Sequence, residues 1–128
     1  MTAKKNISKA FNIILWIVQI LMCLTLVWGA YMKIFTPQPQ LSDLWSWMAE
    51  VSPAFLYTTA IIDFLGGLGL VLPGLLNIKP ALTFWAALGV VVLMVSAIVF
   101  HVSRGEAEDI GFNLVFGLFA GFVCWGRR

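Results

Sequence analysis

Four long runs of apolar residues divide the chain, and most polar positions fall between them. The first run covers residues 11–35 and is interrupted by Gln19, Thr25 and a late Lys33. The second covers 54–76 and holds one acid, Asp63; the third, 81–100, carries no charge. The fourth, 110–126, is the shortest and is rich in Gly and Phe. A hydrocarbon core of about 30 Å needs about 20 apolar helical residues to cross it. The pattern therefore predicts an all-α integral membrane protein, a four-helix bundle within residues 11–126. A basic N-terminus at 1–10 and a short C-terminus at 127–128 flank it. Asn77-Ile78-Lys79-Pro80 leaves room only for a tight turn, so the second and third helices should be antiparallel neighbours.

The connecting segments differ in character. Pro37 and Pro39 break the chain after the first run, and Ser42 with Asp43 behind it reads as a helix N-cap. Leu41, Leu44, Trp45 and Met48 then follow i, i+3, i+4, i+7 spacing, with Asp43, Ser46 and Glu50 opposite, until Pro53. This predicts a short amphipathic helix lying in the membrane interface, with Trp45 and Trp47 as headgroup-level anchors. The alternative is an ordinary loop with two interfacial tryptophans.

Composition agrees. Of 128 residues, 61% belong to the AVILMFWYC set and 11% are charged, whereas soluble domains carry about 25% charged residues. So short a chain has too much surface for its volume to hide that apolar area from water. The net charge of +2, without a Lys/Arg-rich run, excludes a phosphate-tracking nucleic-acid surface.

Loop charges predict the orientation. With the N-terminus inside, Lys4, Lys5, Lys9, Lys79, Arg127 and Arg128 are cytoplasmic, while Asp43, Glu50, Glu106, Glu108 and Asp109 lie outside. An even number of spans returns the C-terminus to the same side. The first run also resembles a secretory signal, but it is too long and lacks an A-x-A-like cleavage site. Met22 before Cys23 argues against lipoprotein processing, so an uncleaved first helix is expected.

Helices in lipid associate through small residues and polar contacts. Gly66 and Gly67 in the second helix and Gly117 and Gly121 in the fourth are the expected packing positions, and Gln19 an expected interhelical hydrogen bond. Asp63 differs. A carboxylate near mid-bilayer costs about 2.5–3.5 kcal/mol on insertion scales, so it marks a site. Thr59, one turn away, and Lys33, near the end of the first helix, are its expected partners. Antiparallel threading brings Lys33, Asp63, His101 and Asn113 into the outer half of the bilayer, beneath Trp45 and Trp47. One reading is a polar pocket for ligand binding or proton exchange; the other is an Asp–Lys buttress with an interfacial His101 and a solvated acidic loop. No metal is expected, since one His has no converging thiolates or carboxylates. Cys23 and Cys124 lie at different depths, so no disulfide is expected. No nucleophile–base pair, phosphate loop or cofactor fingerprint is visible.

Four short motifs resemble the DoxX-like family of membrane proteins, in order and over nearly the whole chain. They are Gly29-Ala-Tyr-Met-Lys33, Asp63-Phe-Leu-Gly-Gly-Leu-Gly-Leu, Lys79-Pro-Ala and Ala97-Ile-Val-Phe-His101-Val-Ser-Arg-Gly-Glu106. The resemblance implies a compact four-helix bundle with both termini cytoplasmic, in a bacterial inner membrane. It maps the family's Lys, acidic and His positions onto Lys33, Asp63 and His101; the acid, often Glu in the family, is here one methylene shorter. Members are named for subunits of a membrane thiosulfate:quinone oxidoreductase, and a eukaryotic relative is an assembly chaperone for acetylcholine receptors. The expected function is thus an accessory membrane subunit binding an apolar molecule with a polar head, such as a quinone or isoprenoid lipid. A membrane scaffold or assembly chaperone docking a partner protein, or a second copy of the chain, is the alternative. A proton-coupled small transporter comes third.

Overall fold

The computed structural model describes residues 8–43, 45–79, 81–106 and 110–128. Lys4, Lys5, Leu44, Pro80, Glu108 and Asp109, and the expected cap at the Ser42 side chain, lie outside the described residues. Helix α1 (Lys9–Phe35) starts at Ser8, whose hydroxyl accepts from the Phe11 amide at 3.0 Å. It stops before Pro37, because proline bars the preceding residue from helical geometry. Helix α3 (Pro53–Leu76) starts the same way, from a Ser52 cap with proline at the first helical position. It ends on Asn77, which takes the left-handed conformation (φ 55°) that closes a helix C-terminus. Helices α4 (Ala81–Ser103) and α5 (Gly111–Arg127) complete the set.

By length and composition, α1, α3 and α4 are each able to cross a membrane. Helix α5, at 17 residues, spans about 25 Å at 1.5 Å per residue. The helices pack in a ring, α1 on α3, α3 on α4, α4 on α5 and α5 back on α1, with α1–α3 and α4–α5 the broadest contacts. Met22, Leu26, Leu70, Val90, Phe116 and Val123 meet at the centre. Large apolar residues also cover the outside, Leu118 being 74% exposed. Only lipid accepts such a surface, and the protein is an integral membrane bundle.

Glycine sets the closest approaches. A Cβ at Gly67 would lie 3.2 Å from the Cys23 carbonyl oxygen, and one at Gly69 2.9 Å from the Ala86 methyl. Gly117 sits against Met94, while Gly66 makes only ordinary contact with Val90. Gly121 is a correction: a Cβ there would meet nothing within 4 Å. Helix α5 instead closes on α1 at Gly126, where a Cβ would press within 2.6 Å of Leu15. Gln19 makes an interhelical bond, its amide donating to the Leu70 carbonyl at 2.6 Å. Its oxygen accepts from Arg127 Nε at 2.7 Å, an unforeseen tie between α1 and α5.

The loop between α1 and α3 forms its helical structure in two pieces, a 3-10 turn over Gln38–Asp43 and a short α2 over Trp47–Glu50. The Gln38 amide donates to the carbonyls of Met48 (3.0 Å) and Val51 (2.7 Å), which folds the segment back on itself. Leu41 and Met48 then bury against Leu56 as a small separate core. The loop becomes a cap over the bundle end.

Candidate functional site

Asp63 lies about 15 Å down α3 from Pro53, whereas Lys33 is about 3 Å from the end of α1, at 1.5 Å per residue. The lysine stem spans the difference. Its Nζ lies 2.6 Å from Asp63 Oδ2 and donates to Thr59 Oγ1 at 3.1 Å. Thr59 is free to accept because its own proton goes to the Leu56 carbonyl, at 2.7 Å. The Trp47 ring, 5.4 Å from Nζ, closes a third side of the ammonium. Lys33 is 7% exposed and Asp63 8%, so the pair is withdrawn from both water and lipid.

A second polar group stands above it. The left-handed Gly105 (φ 75°) turns the chain back after α4, and the Glu106 amide donates to the His101 carbonyl at 2.8 Å. Glu106 Oε1 thereby comes 2.8 Å from His101 Nδ1, while Oε2 accepts from Arg104 Nε and Nη2 at 3.1 and 2.9 Å. Arg104 Nη2 also donates to Glu50 of α2. This clasp joins the cap to the end of α4.

The hydrogen bonds from Arg104, then His101, hold the Glu106 carboxyl below its ordinary range, and the two carboxylates push the Arg104 guanidinium up. A lowered folded value means that the clasp contributes stability above the usual glutamate range and loses it as pH falls through the lowered value. Acidification below the carboxylate range is therefore expected to change the fluorescence around Trp47, and Glu106→Gln to abolish that transition. An identical titration in the variant would refute the clasp.

Between these groups lies a cavity of about 490 Å³, to which Lys33, Thr59, Asp63, His101 and Asn113 all contribute. That volume is within the range of about 300–1,000 Å³ usual for small-molecule sites. The rest of the lining is largely apolar. Two sides reach the surface of the bundle: exposed Trp28 and Phe112 border it on α1 and α5, and exposed Ile62 and Val92 on α3 and α4. The cavity thus faces lipid laterally.

Trp45 and Trp47, expected as headgroup-level anchors, are half-buried at the mouth of the cavity. Trp47 packs edge-on against Phe100 and His101 (5.8 and 6.0 Å between centroids), and Trp45 against Trp28 and Phe112 (6.4 and 6.0 Å). The folding of the loop over Leu41, Met48 and Leu56 carries both rings down as a roof. Glu50, Arg104 and Glu106 were not among the expected site residues. A Gly between Arg104 and Glu106 was the one local hint that the chain doubles back there.

A model of the DoxX-like family matches residues 17–123, the stretch that carries every residue of the cavity. No curated protein and no solved structure matches the chain.

Proposed function

The chain belongs to the DoxX-like family, and from that premise we propose that it is an accessory membrane protein that takes a lipid-soluble molecule with a polar head into the cavity. Quinones and isoprenoid lipids are the ligand classes put forward, in the service of a membrane redox complex. One observation carries the reading: a buried ion pair, Lys33–Asp63, walls an otherwise apolar cavity that faces lipid. Ion pairs buried in a bundle are often replaceable by apolar residues with no loss of stability. A pair placed at a cavity wall has a second use, to orient a head group. His101, whose Nδ1 is engaged by Glu106, keeps Nε2 for a hydrogen bond or proton exchange with the ligand.

The proposed setting is a bacterial inner membrane with both termini cytoplasmic, which puts the cavity in the outer leaflet. Charge supports it: Lys9, Lys79, Arg127 and Arg128 lie at the end of the bundle opposite to Asp43, Glu50 and Glu106. A reporter fused after Arg128 reads that orientation directly.

Native mass spectrometry of gently solubilised protein tests the ligand. Wild type is expected to carry an adduct of quinone or isoprenoid mass, and Asp63→Asn to lose it. Gly89→Phe should lose it too; Gly89 lines the cavity, and a Cβ there meets nothing within 4 Å, so a ring fills space without moving a helix. A wild type with no such adduct would sink the proposal and leave the assembly-chaperone alternative, to be pursued through protein partners.

A further inference from the structure

The two lipid-facing sides of the cavity are built differently. On the α1–α5 side the Trp45 ring packs on both Trp28 and Phe112, at 6.4 and 6.0 Å between centroids, so three aromatic rings stand across the gap. On the α3–α4 side the helices approach closely at two levels. Toward the inner end a Cβ at Gly69 would lie 2.9 Å from Ala86, and one at Gly66 3.5 Å from Val90. At the outer end the Phe55 and Phe100 rings stack, 5.6 Å between centroids. Among the described residues no other ring pair joins these two helices. Between the two levels the cavity reaches the outside past Thr58 and Ile62 of α3 and Val92 and Ser96 of α4, all exposed. The stretch from Phe55 to Gly66 is about 16 Å long at 1.5 Å per residue. The result is a tall slot that runs along the helices, the direction in which bilayer chains also lie.

Resting on the ligand-binding reading above, we infer that this slot is the tail subsite: the ligand's apolar tail leaves the cavity between α3 and α4 and continues into lipid. Volume requires an exit. About 490 Å³ is the size of a site that encloses a drug-sized molecule, so a head group and the start of a long tail fill it. Position suits the slot, because Ile62 on its rim precedes Asp63 in the chain and the opening lies beside the ion pair. Its rims also suit a tail. Those four side chains carry no charge, and the Thr58 hydroxyl is turned to its own helix, donating to the Ala54 carbonyl at 2.7 Å. A tail passing there exchanges one apolar surrounding for another, at no cost in hydration. Leaving on the other side would require the Trp28, Trp45 and Phe112 rings to part. The site therefore selects its ligand by the head and tolerates tails of different length.

A quinone and an isoprenoid alcohol, each made with a tail of two isoprenoid units and with one of six, test the slot by titration into solubilised protein and native mass spectrometry. The class that binds wild type gives the readout, and its two tails are expected to bind alike. Ser96→Trp, which sets an indole in the slot, should weaken the long-tailed compound about tenfold or more and leave the short-tailed one unchanged, as overpacking at the tail alone would. Val95→Trp is the control, at an exposed position of α4 that does not line the cavity, and should match wild type. Equal losses for the two tails in Ser96→Trp, no loss for either, or the same loss in Val95→Trp would overturn the slot while leaving the cavity a ligand site. A long tail that binds wild type about tenfold more weakly than the short one would do the same. Failure of all four compounds to bind would overturn both readings. Wild type also gives an answer without any variant. A diazirine midway along the long tail, irradiated in the complex, is expected to label α3 and α4 near Ile62 and Val92, and the short-tailed compound to compete that label away. Competed labelling confined to α1 and α5 near Trp28 and Phe112 would overturn the inference.

Discussion

Replacing Lys33 with Met is expected to destabilise the bundle by about 3 kcal/mol, the largest effect of any single polar substitution, because it strands Asp63 as an uncompensated acid. The partner change, Asp63→Leu, should cost less. Asp63 is fixed about 15 Å into its helix, whereas Lys33 sits about 3 Å from the end of α1 and, once released, its long stem can carry the ammonium out to the interface. Removing both charges should recover most of the loss, since no ion is then left in the apolar interior. Reversible unfolding of the three variants in detergent measures the asymmetry. Equal single losses would show that Lys33 does not escape, and an additive double variant would show that the 2.6 Å pair has no coupling. The double variant should nonetheless lose the native-mass-spectrometry adduct, which separates the work of the pair in binding from its work in stability. A double variant with full function would remove Asp63 from the site.

The second large effect is steric. Gly67→Leu should destabilise by about 1–3 kcal/mol, the usual cost of overpacking, because the nearest obstacle is backbone: the Cys23 carbonyl oxygen lies 3.2 Å from where the Cβ would be. Val27 and Leu26 crowd the same point at 3.2 and 3.3 Å, so α3 must lift away from α1. That displacement also pulls Asp63, one turn earlier on α3, off Lys33. Gly121→Leu is the control, with open space at the same chemistry. Similar melting of the two variants would show that Gly67 does not set the α1–α3 distance.

Gly121 also shows where reading the chain by itself ran out. A small residue four positions from another marks a face able to pack closely, but it does not say at which depth two helices meet. The α5–α1 contact closes at Gly126 on Leu15, a choice made by the crossing of the helices. The loop over 36–52 is a similar case. Its i, i+4 spacing was visible, but the bonds from Gln38 to the carbonyls of Met48 and Val51 break the segment into two turns and are invisible to periodicity.

Lipid as solvent imposes one strong rule, that about 20 consecutive apolar residues must satisfy their own backbone as helix. That rule is one-dimensional, so the sequence by itself determined the all-helical membrane class and the places of its apolar helices. It also singled out Asp63, since an acid inside an apolar run needs a partner on some other helix. Which partners met was decided only in three dimensions. Glu50 and Arg104 are 54 residues apart, Gln19 and Arg127 108, and each looks like a solvated or isolated polar residue when read locally. Trp45 and Trp47 have the composition of interface anchors, and their packing against the buried cluster of Leu41, Met48 and Leu56 also makes them a roof over the cavity. Electrostatic pairs and enclosed volume depend on distances between helices, and those are set by packing, not by position in the chain.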